Sequence, residues 1–349
     1  MDRSVLAGIG ASVALALGCV GMFVLTPGHQ ASSGSRPDSA TLAGSLPTPP
    51  MVGSPSPSPS HSSAKPSPSH TPKKHRHHAS PSQPKLPPVT SGNVFVGVAV
   101  KSGIVSGVRS FSQATGAHIS MVEIYTSFDK PFPGLASHRV ISTGATPLVQ
   151  WNPRGTSLAK IAHGGYDTYL RNYAKAAKKF GHPVTLSFGH EMNGPWSQWG
   201  AGHVAPATFV AAWRHIHNVF ASQGAQNVSW SWDPSHTGDL PRPWWPGPRY
   251  VDKIGIDGYQ RPGQTFADIF ADRLGYIRGF TGKPIFIAET SVAPSAGQAR
   301  QVVGLFNGVV RYHLSGFVWF NINHLEAWRL EGRPAAIRAF RSAVAQTDG

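Results

Sequence analysis

Short apolar runs recur along the chain from residue 93 onward, and segments with helical periodicity separate them. Most of the runs are continuously apolar instead of alternating, as expected for parallel strands that are buried on both faces. The runs predict eight β-strands, at residues 95–100, 119–126, 147–151, 184–188, 228–232, 254–259, 284–288 and 317–320.

Between these runs, apolar side chains recur at the three- to four-residue spacing of an α-helix. Residues 166–180 show the spacing clearly and Gly181 follows them as a stop signal, and residues 209–220 and 266–277 show the same spacing. Eight strands with intervening helices in about 250 residues predict a (β/α)8 TIM barrel over residues 93–349. A doubly wound open sheet is the structural alternative, although no glycine-rich phosphate-binding sequence follows the first strand.

The first 92 residues have a different composition. Residues 5–25 contain no charged side chain and follow Arg3, which predicts a membrane-targeting segment over residues 1–26. The length of the apolar run favours an uncleaved anchor; a cleaved signal peptide ending near Ala31 and a lipoprotein attached at Cys19 are the alternatives. Each of the three places the remaining chain outside the cytoplasm, either secreted or tethered to the outer face of the membrane by residues 5–25.

Residues 27–92 are rich in Pro and Ser, and such a composition predicts a disordered linker. The run KKHRHH at 73–78 is interpreted as a solvated basic patch, with metal binding by its histidines as the alternative. The net charge is +15, and residues 93–349 account for +10 of it. No recognition motif accompanies the scattered basic residues, so no nucleic-acid partner is expected; the N-terminal segment is expected to contact the cell wall or membrane.

Two glutamates stand directly after predicted strands. Residues 93–349 contain only five glutamates, and Glu191 follows the fourth strand while Glu289 follows the seventh. Catalytic groups of TIM barrels lie at the carboxyl ends of the strands, and strands four and seven face each other across the barrel. The pair therefore predicts a hydrolase of the two-carboxylate type, in which one group protonates the leaving oxygen and the other attacks the sugar.

His190 stands next to the first of these glutamates. The zinc-protease pattern HExxH would require a histidine at position 194, which is Gly194, so that type of metal site is excluded. We expect His190 to orient or hydrogen-bond a glutamate, with a purely structural histidine as the alternative. No metal or organic cofactor is expected, because no ligand cluster with metal spacing is present in the barrel sequence.

Aromatic residues are concentrated at the same strand ends. Flat aromatic faces stack on sugar rings, and indole and phenol groups add hydrogen bonds, so a carbohydrate cleft is predicted. Trp230 and Trp232 stand two residues apart in the fifth strand, where such neighbours share a face, and we expect Trp230 or Trp232 to face the helices. The candidate substrate-binding aromatic residues are Trp151, Trp196, Trp199, Tyr259 and Trp319.

The sequence GHEMNG at 189–194, followed by Trp196 and Trp199, resembles the acid/base signature of glycoside hydrolase family 26. The run WSWDP at 230–234 and the nucleophile-like strand KPIFIAET at 283–290 resemble the same family, and the similarity extends from about residue 95 to 340. This resemblance implies a retaining endo-acting β-glycanase, most often a β-1,4-mannanase. It implies Glu191 as acid/base, Glu289 as nucleophile and His190 as the partner of the acid.

The same resemblance implies that Trp196 and Tyr259 flank the cleaved sugar and that Trp319 forms a platform. Many mannanases of the family carry a histidine after the third strand, where this chain has Trp151 and Asn152. This departure leaves β-1,3-1,4-glucan and β-1,3-xylan open as substrates. A cell-surface carbohydrate-binding barrel without catalysis, and an enzyme acting on the producer's own wall or capsule polymer, are further alternatives. A monomer is expected.

Overall fold

The computed structural model describes residues 94–101, 103–324 and 326–347. Its eight strands are all parallel and form one closed barrel in sequence order, with the first strand hydrogen-bonded to the eighth. The strands are β1 Phe95–Val100, β2 Ile119–Ser127, β3 Thr146–Asn152, β4 Val184–Phe188, β5 Val228–Trp232, β6 Lys253–Asp257, β7 Ile285–Thr290 and β8 Gly316–Asn321. The predicted TIM barrel is confirmed.

Helices cover the outside of the barrel. Gly181 ends one helix in the left-handed conformation with φ of 75°, as its sequence position predicts. A capping box between Thr265 and Asp268 begins another. The helices are α1 Ile104–Thr115, α2 Gly134–Ile141, α3 Leu158–Ala162, α4 Asp167–Phe180, α5 Pro206–Ser222, α6 Phe266–Arg278, α7 Gln298–Arg311 and α8 Pro334–Thr347.

One connection departs from the regular alternation. Between β5 and β6 the described chain contains a single 3₁₀ turn, Arg242–Trp244, and no α-helix. The segment contains five prolines, which remove backbone donors and clash with the preceding helical turn. Trp244 is buried and its carbonyl oxygen accepts a hydrogen bond from the Trp232 indole at 3.1 Å, so packing replaces helical hydrogen bonds here.

The core has two main parts because side chains alternate between the two faces of each strand. The larger part lies between the strands and the helices and includes Trp230 and Trp232, which share the outer face of β5. The smaller part fills the bottom of the barrel with Met121, Leu148 and Phe286, among others. The upper half of the barrel interior holds polar and acidic side chains, which form the site described below, and beside them lies a third, small apolar cluster that includes Phe320 and Trp328.

The predicted membrane-targeting segment and Pro/Ser-rich linker lie outside the described residues. Within the part of the chain that the structure describes, no helix combines the length and the apolar character needed to cross a bilayer.

Candidate active site

Glu191 lies where the chain leaves β4 in a tight turn. Both Gly189 and Glu191 have positive φ, 61° and 53°, and a β-carbon on Gly189 would lie 3.0 Å from Trp199. A left-handed conformation costs a non-glycine residue roughly 1–2 kcal/mol, and such strain persists where the surroundings enforce it. The backbone N–H of Glu191 donates to the carbonyl oxygen of Asp233 at 2.7 Å, which fixes the turn against the end of β5.

The carboxyl group of Glu191 is buried and has few partners. The Trp196 indole donates to its Oε2 at 2.6 Å, and the Ser235 hydroxyl hydrogen-bonds the same carboxyl. Burial raises the pKa of Glu191 to about 8, and the negative charge of Glu289 adds to the rise. Glu191 therefore holds a proton at neutral pH, as a general acid must.

Glu289 lies in β7 across the barrel mouth and has strong donors on both oxygens. Tyr125 donates to Oε1 at 2.8 Å and Tyr259 donates to Oε2 at 2.6 Å. His190 Nε2 lies 3.7 Å from Oε1. The two hydroxyl donors fix the orientation of the carboxyl group, as the position of a nucleophile requires.

His190 is held by a side chain from β3. Its Nδ1 lies 2.9 Å from Asn152 Oδ1, which can only accept, so Nδ1 carries a proton and Nε2 faces Glu289. Burial lowers the pKa of His190, and the charges of Glu289 and Asp233 oppose this. We expected His190 to orient or hydrogen-bond a glutamate, and in the structure the glutamate beside it is Glu289.

Three predicted substrate contacts need correction. Trp151 and Trp319 are fully buried on the outer face of β3 and β8, where Trp151 stacks on Tyr173 at 4.1 Å between ring centres and Trp319 packs on Phe340 at 5.6 Å. Their strand neighbours point inward, so the pleat directs these two indoles toward the helices. Trp199 is also buried and donates from its indole to the His190 carbonyl oxygen at 2.8 Å, which supports the turn from behind.

Of the predicted aromatic contacts, Trp196 and Tyr259 remain at the site. Both are partly exposed, and each hydrogen-bonds one of the two glutamates. A residue without a prediction joins them: Tyr125, at the end of β2, packs edge-on against Phe320 with 6.4 Å between ring centres. Phe320 also contacts Tyr259 edge-on at 5.8 Å, so aromatic faces line the site beside Glu289.

Three further acidic side chains, also without a prediction, lie buried below the glutamates. Gln150 donates to Glu123 at 3.0 Å and to Asp233 at 3.2 Å. Asp257, at the end of β6, has no hydrogen-bond partner among the described residues on either carboxylate oxygen. Burial first, and then the charges of Glu289 and Glu191, raise the pKa of Asp257 well above its usual range. Asp233 and Asp257 stand at strand ends, which was the available sequence signal, whereas Glu123 lies in the middle of β2.

Comparison with known proteins agrees with this geometry. Residues 159–308 match the sequence profile of glycosyl hydrolase family 26. This match runs from α3 into α7 of the barrel. Endoglucanase H of Acetivibrio thermocellus is 29% identical over 260 residues, which cover 68% of this chain and 29% of that protein.

Two further proteins are similar to this chain. A mannan endo-1,4-beta-mannosidase of Bacillus subtilis is 29% identical over 150 residues, 40% of this chain and 37% of that protein. The solved structure of a Cellulomonas fimi endo-beta-1,4-mannanase double mutant has the same fold, with a TM-score of 0.60 at 16% identity over 74% of this chain and 71% of that one. The chain thus spans well under half the length of both curated relatives.

Within the described residues of the barrel, one group of side chains could hold a metal ion. His190, Asp257 and Glu289 each offer one ligand atom, and these atoms lie within 4.8 Å of one another. Two of the three belong to the glutamate site itself, and hydrolysis by paired carboxyl groups requires no metal. The expectation of a cofactor-free reaction therefore stays a prediction.

Proposed function

We propose that the barrel is a retaining endo-β-glycanase. The observation that carries the proposal is the contrast between the two carboxyl groups: Glu191 holds a proton at neutral pH, while Glu289 accepts from two tyrosine hydroxyls. Two neighbouring carboxyl groups in such different surroundings are typical of enzymes in which one carboxyl group acts as the acid and the other has a different role.

In the proposed reaction, Glu191 gives its proton to the glycosidic oxygen as the bond to the sugar breaks. Glu289 attacks the anomeric carbon and forms a covalent glycosyl–enzyme intermediate. Glu191, now ionised, takes a proton from water, and the hydroxide displaces Glu289 so that the sugar keeps its β configuration. Tyr125 and Tyr259 hold Glu289 in place.

We place β-1,4-mannan first among substrates, and the mannan endo-1,4-beta-mannosidase of Bacillus subtilis supports this order. β-1,3-1,4-Glucan is the second candidate, because the longer sequence match is to Endoglucanase H. β-1,3-Xylan is the third. Many mannanases of the family have a histidine after the third strand, where this chain has Asn152 in contact with His190. This difference is the reason for keeping the glucan and the xylan as candidate substrates beside mannan.

The test incubates the protein with β-mannan, mixed-linkage glucan and β-1,3-xylan and measures new reducing ends. Release of oligosaccharides of mixed length from one of them supports an endo-acting enzyme. NMR of the first-formed product should show the β-anomer, and an α-anomer would exclude the retaining mechanism. Binding of a glycan without any new reducing end would instead identify a carbohydrate-binding barrel.

Two accompanying proposals concern the whole chain. Chelator treatment should leave the rate unchanged, because the reaction uses only the protein's carboxyl groups; a loss that one particular metal restores would contradict this.

Residues 5–25 are proposed to export the barrel or anchor it outside the cell, with residues 27–92 as spacer. Protease added to intact cells should remove the barrel if it is anchored outside, whereas protection from protease would refute that location.

A further inference from the structure

The segment after β5 supports the acid/base glutamate from two directions. Residues 235–239, here named the β5 loop, follow directly after Asp233 and Pro234. The carbonyl oxygen of Asp233 accepts from the Glu191 backbone at 2.7 Å, and the hydroxyl of Ser235 hydrogen-bonds the Glu191 carboxyl. The position of the Glu191 carboxyl group therefore depends on where this loop lies.

Asn193, two residues after Glu191, fills the interior of the β5 loop. Its side-chain amide donates to the carbonyl oxygens of Ser235, Thr237 and Asp239 at 3.1, 2.7 and 3.0 Å. Its Oδ1 accepts from the backbone N–H of Ser235 at 2.8 Å. Asn193 is fully buried, and one side chain thus satisfies four backbone groups of a loop that also pairs with β6 through the isolated bridge between Ser235 and Asp257.

The backbone of Asn193 holds the same loop. Its carbonyl oxygen accepts from Asp239 N–H at 2.8 Å, and Gly238, with φ of 77°, approaches so closely that a β-carbon there would lie 2.4 Å from that oxygen. On the opposite side, the Arg273 guanidinium donates to the carbonyl oxygens of His236 at 2.8 Å and Asp239 at 3.1 Å. The β5 loop is therefore fixed between α6 and the turn that carries Glu191.

We propose that Asn193 is a positioning residue for general-acid catalysis, which rests on the function proposed above. By holding the β5 loop, Asn193 keeps Ser235 and the Asp233 carbonyl where they fix Glu191 in its left-handed conformation. Asn193 touches no reacting atom and acts only through these neighbours. Loss of its side chain frees the loop, and the Glu191 carboxyl then leaves the position from which it protonates the leaving oxygen.

The test variants are Asn193→Ala, which removes all four hydrogen bonds, and Asn193→Asp, which keeps the acceptor and removes the donors. Asn227→Ala is the matched control. Asn227 also bridges two carbonyl oxygens through its amide, those of Ala177 and His182 at 2.9 Å each, but it lies at the opposite end of the barrel. The control therefore loses comparable hydrogen bonds without touching the acid.

The first readout compares a polysaccharide with a 2,4-dinitrophenyl β-glycoside of the preferred sugar, whose leaving group needs little protonation. For Asn193→Ala, kcat/KM on the polysaccharide should fall at least tenfold more than kcat/KM on the aryl glycoside, because kcat/KM reports the step in which the leaving oxygen is protonated. Asn227→Ala should change both rates by the same factor. Equal losses on both substrates with Asn193→Ala, or no loss at all, would overturn the proposal.

The second readout does not depend on activity. The Trp196 indole N–H bonds the Glu191 carboxyl at 2.6 Å, so its proton resonance, assigned with Trp196→Phe, reports the position of that carboxyl. It should move upfield or broaden in the Asn193 variants and stay unchanged in Asn227→Ala. An unchanged resonance in folded Asn193 variants would refute the positioning role, even if the wild-type protein hydrolyses no β-glycan and the proposed function itself fails. If both Asn193 variants fail to fold while Asn227→Ala folds, Asn193 serves the fold and the proposal is rejected.

Discussion

At the scale of single residues, the two glutamates differ in the groups that surround them. Glu191 has one indole donor and one hydroxyl partner in a buried pocket, and its pKa is raised by burial and by the charge of Glu289. Glu289 has a tyrosine hydroxyl on each oxygen. The roles of acid and nucleophile follow from these contacts and can be separated by mutation.

Glu289→Ala should abolish turnover of every substrate, because no nucleophile remains. Glu191→Ala should reduce hydrolysis of the polysaccharide by about 10²–10⁴-fold, the usual contribution of a general acid, and affect an activated aryl glycoside far less. Added azide should rescue Glu191→Ala and give a β-glycosyl azide, since the intermediate still forms on Glu289. An α-configured azide would show that the roles of Glu191 and Glu289 are assigned wrongly. A larger loss of activity on the aryl glycoside than on the polysaccharide would show the same.

The pH dependence follows from the same pocket. Only protonated Glu191 can give a proton to the leaving oxygen, and its pKa is raised to about 8. The value of kcat/KM should therefore fall tenfold per pH unit above about 8, in a profile measured on the polysaccharide. Glu191→Ala acting on the aryl glycoside serves as control and should lack this alkaline decrease. A wild-type decrease centred near pH 5 would contradict the pKa of Glu191.

The sequence predicted both glutamates because each follows an apolar strand. The sequence could not predict which neighbouring aromatic residues face the site. Successive residues of a strand point to opposite faces, so an error of one residue in the predicted register reverses the predicted direction of every side chain. Tyr125 faces the interior two positions after Glu123, whereas Trp151 stands between the inward Gln150 and Asn152 and faces the helices.

At the scale of elements, the two faces of the strands have different consequences for mutation. Trp151→Ala should lower the free energy of unfolding by about 3–5 kcal/mol, because it removes a fully buried ring from the layer between β3 and α4. Trp196→Ala should change stability far less but reduce kcat/KM, since Trp196 is partly exposed and bonds Glu191. Urea unfolding and kinetics on the same samples measure both effects.

A large increase in KM for folded Trp151→Ala, with little change in stability, would restore the original expectation that this residue binds substrate. The element order itself was predictable from periodicity, except that no α-helix lies between β5 and β6 in the described chain. The hydrogen bonds of the β5 loop were not predictable, because they come from Asn193 and Arg273, which lie far from it in sequence.

At the scale of the whole molecule, the buried acid makes stability depend on pH. Folded Glu191 keeps its proton up to about pH 8, whereas an ordinary glutamate loses it near 4.5. Between these values the folded chain binds more protons than the unfolded chain, so the contribution of Glu191 to stability is lost as the pH rises through that window. Each unit of difference corresponds to about 1.4 kcal/mol.

Glu191→Gln has no proton to lose at this position. The variant should therefore lose less stability than the wild type as the pH rises. The two Tm values should be similar near pH 5, and the variant should exceed the wild type by several degrees at pH 9. Glu331→Gln is a suitable control, because Glu331 is a partly exposed glutamate near the surface. A constant difference in Tm from pH 5 to 9 would contradict the proton-linked origin of the effect.

The left-handed backbone of Glu191 has a consequence for how the chain changes over generations. Glycine adopts a φ of 53° without the strain that glutamate carries there, so selection for stability alone works against the acid at position 191. A lineage that stopped using its substrate would drift toward glycine or asparagine at this position while the barrel persisted. We therefore expect the residue at position 191 to differ between related barrels that still use their substrate and those that no longer do, whereas the strands and helices should be the same in both.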